Sequence, residues 1–435
     1  MKSKSPSATL EPNHKTENPL ATQFTRVREM SESLAADLSA EDCMVQSMPD
    51  ASPTKWHLAH TTWFWETFVL APNLHGYKPL VVEYRTLFNS YYNAVGNRPQ
   101  REMRGVFSRP TLDEIYAYRE HVDQYMAELF HNELPNGLAD VITLGLNHEQ
   151  QHQELIVTDI KHALWSNTLR PAFAEPRISD NGAGTSKQQW LEYSEGLYQI
   201  GHEGEGFAFD NEMPRYKVYV EDFQLASRLI TNAEYMQFIL DGGYRRAELW
   251  LSEGWDMLRM HGWQAPLYWE RNSKDEVWWN YTAQGMRPVD LDEPVCHVSY
   301  FEADAFARWA GDRLPTEAEW EIAAAKPAIE GNFLESGNFH PVSTSHEGRD
   351  PDSVLQQIFG DCWEWTQSSY EPYPGYKPAA GALGEYNGKF MCNQYVLRGG
   401  SCATPQTHIR ATYRNFFPAH ARWQFSGIRL AKDTV

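Results

Sequence analysis

Long apolar runs are missing from this 435-residue chain, and none approaches the roughly 20 apolar residues of a membrane span. The first twenty residues are polar and lack the apolar centre of a signal peptide, so residues 1–20 are expected to form a disordered tail. Basic residues are scarce. A formal charge of −20, spread without long acidic runs, argues against nucleic acid and anionic membranes as partners. Cysteines are few: Cys43, Cys296, Cys362, Cys392 and Cys402 are odd in number and form no CxxC pair, which fits a reducing cytoplasm better than a disulfide scaffold. No convincing internal repeat is present. What remains is an acidic protein long enough for two or more domains, each with its own core.

The most informative stretch is His148-Glu149-Gln150-Gln151-His152. Val141, Gly145, His148, His152, Leu155 and Asp159 fall on one helical stripe, so both imidazoles leave the same face and can grip one metal ion. The spacing also suits two hydrogen-bonded core histidines. It matches, too, the zinc-protease pattern in which Glu149 would be the general base, but the Gly and His of the extended protease pattern are replaced by Leu155, Thr158 and Lys161. A third ligand then comes from elsewhere. The best source is a helix opening at Ser52-Pro53, read as N-cap and first helical residue, which carries His57 and His60 among Trp56, Trp63, Phe64 and Trp65. Helix phase does not choose between these two histidines. Three neutral imidazoles without carboxylate or thiolate suit zinc or ferrous iron and leave coordination positions open.

Helical patterns run from about Thr22 to Leu38, Ser52 to Leu70, Thr111 to Phe130 and Leu138 to Trp165, the third opening on a Thr111/Glu114 capping box. They predict a four-helix bundle over residues 21–178, with a metal site in its core. A tyrosine- and arginine-rich connection joins the second and third helices. Residues 179–189 read as a linker, and 190–435 as an α+β domain with short strands such as Tyr216 to Phe223 and a helix from Tyr300 to Gly311. The expected class is multidomain, α followed by α+β.

Four strings in the second half carry a resemblance: Arg313 to Glu321, Gly360-Asp361-Cys362-Trp363-Glu364-Trp365, Val396-Leu397-Arg398-Gly399-Gly400-Ser401 and Gly427-Ile428-Arg429-Leu430-Ala431. They resemble the formylglycine-generating, sulfatase-modifying fold, a relative of C-type lectins. Formylglycine-generating enzymes use two copper-binding cysteines after the Gly-Gly-Ser string; here only Cys402 follows it, and too early, so that activity is not expected. A DinB-like bundle with His-Leu-Ala-His and His-x-x-Gln-His ahead of this domain resembles the ergothioneine-biosynthetic sulfoxide synthases of the EgtB type.

The resemblance implies ferrous iron held by His60, His148 and His152, and an oxygen-dependent joining of a cysteine sulfur to the imidazole of hercynine (N-α-trimethylhistidine), leaving a sulfoxide. It implies that Gln151 and Asn415 hold the carboxylate and ammonium region of hercynine, that Phe416 faces the trimethylammonium, and that Arg85 grips the carboxylate of the sulfur donor. Simple core packing is the alternative for Phe416 and Phe417. In the γ-glutamylcysteine-using branch an Asp and an Arg clamp the glutamyl arm, where this chain has Ala419 and Trp423; a catalytic tyrosine of that branch falls on Ala379 to Gly384. Both departures point to cysteine as donor, with γ-glutamylcysteine as runner-up, and to Tyr91 or Tyr92 as the phenol that supplies a proton, with Tyr386 the next candidate. A zinc-dependent thiol S-transferase and a lectin-like binding protein with a structural metal are the readings from other classes.

Overall fold

The computed structural model describes residues 18–90, 92, 94–175, 184–272, 276–344, 355–378, 384 and 387–434. Most of the expected tail, part of the expected linker, and the Ala379 to Leu383 stretch lie outside them, as do Tyr91 and Tyr386. Among the described residues no helix is long and apolar enough to cross a membrane.

Four long helices form the first half: α1 (Pro19–Ser33), α2 (Thr54–Phe64), α3 (Leu112–Phe130) and α4 (Leu138–Ser166). The Thr111/Glu114 capping box opens α3 as expected. Two boundaries differ from the sequence reading. Helix α1 stops a turn early, at Ser33. Pro53 rather than Ser52 is the N-cap of α2; the Ser52 hydroxyl instead accepts from Arg104 (2.9 Å), and its amide donates to Asp159 Oδ2 on α4 (2.7 Å). Past Phe64 the chain widens into a π-helical turn, Trp65–Leu70. Helix α2 packs on both α3 and α4, and α1 on α4. A Cβ on Gly145 of α4 would lie 2.7 Å from the Trp65 ring, so glycine is what lets α2 and α4 approach at the level of the histidines.

The second half contains short sheets and helices. The strand expected over Tyr216 to Phe223 is two strands, β3 (Tyr216–Val220) pairing with β2 (Gly196–Ile200), and β4 (Phe223–Ala226) pairing with β1 (Trp190–Tyr193). Its central sheet is built on Trp363–Ser369, Gln394–Arg398 and Asn415–Pro418. The motif residues that made this half recognisable are mostly structural. Arg429 makes a two-pronged, fully buried pair with Glu364 (2.8 and 2.9 Å), which also accepts from the Trp320 indole, and Arg398 reaches Glu321 at 2.7 Å.

Helix α4 belongs to both halves. Its Glu154 accepts hydrogen bonds from Trp363 (2.5 Å), Ser401 (3.0 Å) and Thr404 (2.7 Å), and its Val157 packs into a cluster with Cys296, Cys362, Cys402 and Phe425.

Candidate metal centre

His60 on α2 and His148 and His152 on α4 each present a ring nitrogen, and the three ligand atoms lie within 4.8 Å of one another. Bond lengths of about 2.0–2.1 Å to one ion place ligand nitrogens at most about 4.2 Å apart, so a small inward adjustment of the rings would let all three bind. His60 is held flat between Trp56 and Trp63, with ring centroids 4.5 and 5.3 Å away. Its Nδ1–H donates to the Phe88 carbonyl at 2.6 Å, while its buried Nε2 has no hydrogen-bond partner among the described residues. Burial holds His148 down to about 3 and keeps His60 and His152 well below their ordinary values, so all three rings are neutral.

His57, which helix phase could not separate from His60, takes a different place. Its Nε2 lies 3.0 Å from Asp159 Oδ2 and its Nδ1 lies 2.8 Å from Nδ1 of His152. A carboxylate only accepts, so Nε2 of neutral His57 carries the hydrogen, and its Nδ1 accepts from His152. That leaves Nε2 of His152 as the lone pair for a metal. His57 and Asp159 therefore orient a ligand, the usual part of an outer partner in a histidine metal site.

Glu149 cannot serve as a protease base. Both its oxygens are consumed by Arg28 (3.2 Å), Arg119 (3.2 Å), Ser31 (2.8 Å) and Trp65 (2.7 Å). Burial alone would push this carboxyl up, but Arg28 and Arg119 outweigh it and hold Glu149 at about 2.

These shifts set a pH dependence for the metal-free protein. A buried imidazole that resists protonation contributes stability that is complete above its unfolded value of 6.5 and is lost as pH falls toward about 3. Glu149 adds a second loss below 4.5, continuing to about 2. Urea midpoints of the metal-free protein should therefore fall steadily on acidification from about pH 7 to 4. A flat response over that range would contradict the buried, neutral triad.

A cavity of about 400 Å³ opens at the junction of the two halves, with Trp56, His57, Gln151 and His152 on one side and Tyr413, Asn415, Phe416 and Trp423 on the other. Gln151, Asn415 and Phe416 are thus brought together with the histidine cluster. Phe416 is no core residue only; one face stacks on Tyr370 at 4.0 Å while the residue lines the cavity. Arg85 is not brought there. The helical turn Tyr84–Leu87 buries Tyr84 and leaves Arg85 exposed, with its carbonyl accepting from the Trp63 indole. Arg98, Arg101 and Arg104 line the cavity instead, after the chain doubles back. For Arg101 and Arg104 the i, i+3 spacing was the available signal, since residues three apart align on the 3₁₀ turn Arg101–Val106; Arg98 precedes that turn. Arg104 lies over the Trp56 ring, 3.4 Å from its centroid, and donates to Ser52 Oγ at 2.9 Å. Tyr92 is buried against Trp63 and Phe68, one ring removed from His60, while Tyr91 lies outside the described residues.

Both halves of the chain match known families. Residues 23–156 match the DinB superfamily and residues 182–434 the sulfatase-modifying factor enzyme 1-like domain. The chain is 30% identical to the hercynine oxygenase of Mycobacterium tuberculosis over 95% of its own length and 98% of that protein's. It is 33% identical to the hercynine oxygenase of Mycolicibacterium thermoresistibile over 68% of its own length and 70% of that protein's. It is also 30% identical to ergothioneine biosynthesis protein 1 of Schizosaccharomyces pombe, over 52% of this chain and 28% of that larger protein. With both domains matched in order and one full-length relative at this identity, the chain belongs to the hercynine oxygenase family and is an oxidoreductase.

Proposed function

We propose that this protein is a hercynylcysteine sulfoxide synthase of ergothioneine biosynthesis, using ferrous iron and dioxygen to join cysteine to hercynine. The reading rests above all on three neutral, buried imidazoles converging beside a cavity that also carries an aromatic wall and arginines. The reaction balances as one C–H and one S–H replaced by a C–S bond, with one oxygen atom of O₂ retained in the sulfoxide and the other leaving as water. His60, His148 and His152 would hold the iron, which when bound would offer open positions for thiolate and oxygen and would relay to oxygen the electrons that the two substrates give up.

The chain's own groups do the rest. Arg98, Arg101 and Arg104, in place of Arg85, take the carboxylate of the donor through charge-assisted hydrogen bonds. Phe416, which stacks on Tyr370 and lies 5.9 Å from the Phe390 ring, offers ring surface in the cavity to the trimethylammonium, an interaction of about 0.5–2 kcal/mol. Asn415 accepts from the Phe416 amide through Oδ1 (2.9 Å), which leaves Nδ2 as the end that can donate to the carboxylate of hercynine. Trp423 and Ala419 stand where a glutamyl arm would need charged partners, and burying its charges unpaired costs several kcal/mol, which supports cysteine as donor. Tyr91 or Tyr92 supplies the phenolic proton, worth roughly 10² to 10⁴-fold in rate. A thiol substrate and five free cysteines suit a reducing cytoplasm.

Anaerobically purified protein should carry about one iron per chain. It should consume oxygen only when hercynine and cysteine are both present, and Tyr91→Phe or Tyr92→Phe should divert or abolish sulfoxide formation without loss of iron. Oxygen-independent thiol transfer by a zinc-bound protein would sink this reading.

A further inference from the structure

Gln151 sits between two of the three clustered histidines, and its amide is not free to present either end. A chain of four hydrogen bonds, two of them across the domain junction, fixes its direction. Asn147 donates Nδ2 to the Thr143 carbonyl at 3.0 Å, which turns Oδ1 of Asn147 toward His408 Nδ1, also 3.0 Å away. An amide oxygen only accepts, so His408 must carry its hydrogen on Nδ1. His408 is buried and held well below its ordinary value by that burial, so the ring is neutral and Nε2 is an acceptor. Tyr413 Oη lies 2.9 Å from this Nε2 and donates to it; burial pushes the phenol up, so it keeps its proton. With its own hydrogen committed, Tyr413 can only accept from Gln151, whose Nε2 lies 2.7 Å away. Oε1 of Gln151 is then the end left for the cavity that Gln151 and Tyr413 both line.

An acceptor in that place selects for a donor. Hercynine has one: its trimethylammonium bears no N–H and its carboxylate bears no O–H, so only the imidazole N–H can meet Oε1. We propose that the Asn147–His408–Tyr413 relay polarises Gln151 so that Oε1 accepts the imidazole N–H of hercynine, making Tyr413 and His408 positioning residues for ring recognition. This rests on hercynine being the substrate, and it moves Gln151 from the carboxylate end of the ligand to its ring.

The test is binding, on the ferrous holoenzyme under anaerobic conditions without cysteine. Dissociation constants of hercynine and of its oxazole analogue, in which the ring N–H is replaced by oxygen, are measured by calorimetry for wild type and Tyr413→Phe. Weaker metal ligation by the oxazole is common to both proteins and cancels in the ratio of ratios. The preference for hercynine should fall about tenfold in Tyr413→Phe, the size of one neutral hydrogen bond lost and one mismatch relieved, because the released amide can turn its N–H to the oxazole oxygen. Asn147→Ala, two links away, should shift the same ratio in the same direction and replaces the first variant should that one not fold. A ratio unchanged in either folded variant overturns the relay. Wild-type enzyme that binds neither ligand overturns the substrate reading itself, a result distinct from an unchanged ratio.

Discussion

His148→Ala is expected to lose its iron and with it the reaction. Removing one of three protein ligands forfeits several kcal/mol of metal binding, so affinity should drop about 10³-fold or more at 1.4 kcal/mol per decade. His60→Ala and His152→Ala should behave alike. Each keeps the bundle folded, because the core around them is carried by Trp63, Trp65, Val122, Met126 and Ile142. His57→Ala should behave differently. It removes the acceptor of the His152 Nδ1–H and strands Asp159 without removing a ligand, for a loss of about 10 to 100-fold. Iron content after dialysis against graded chelator reads both numbers. Greater loss from His57→Ala than from His60→Ala would show that the two histidines have been assigned the wrong way round.

The second large effect is on the sulfur donor. Each charge-assisted bond to a carboxylate contributes about 1.5–3 kcal/mol, so Arg98→Ala and Arg104→Ala should each raise the KM for cysteine about 10 to 100-fold, with hercynine affected less. Arg85→Ala should sit near wild type, since its side chain is exposed and away from the cavity. The two cavity arginines should also separate from each other. Arg104 donates to Ser52, whose amide donates to Asp159, the carboxylate that orients His57, so Arg104→Ala should loosen iron as well. Arg98 donates to the Ser90 carbonyl at 2.8 Å and, among the described residues, has no hydrogen bond leading to the histidine cluster, so its loss should leave iron content unchanged. Cysteine should exceed γ-glutamylcysteine in kcat/KM for every variant that turns over; a reversal in the wild type would contradict the role given to Trp423.

What was legible in the sequence was whatever depends on neighbours three or four residues away. The His148/His152 pair, the Thr111 capping box and the four helical stripes all obey local periodicity, and the structure reproduces them. What was not legible depends on partners far along the chain. Ser52 reads as an ideal N-cap, yet its hydroxyl is claimed by Arg104, 52 residues away. Arg85 reads as a site residue because the family resemblance puts it there, but a single helical turn leaves it exposed while Arg98, Arg101 and Arg104 further along the connection line the cavity. Glu149 reads as a base within a metal motif, and only the positions of Arg28 and Arg119 reveal that it is already committed. His57 and His60 differ in role by which neighbour each meets, Asp159 or Phe88, and no spacing rule encodes that.

Helix α4 carries His148 and His152 near its middle and the junction contacts, Glu154 to Trp363 and Ser401, barely half a turn further on. Opening the two halves like a hinge would tear those buried bonds and drag the ligands apart with them. The grip on the metal and the seam between the halves are thus two stretches of one rod, so a substitution that loosens the seam should be read out at the histidines as well.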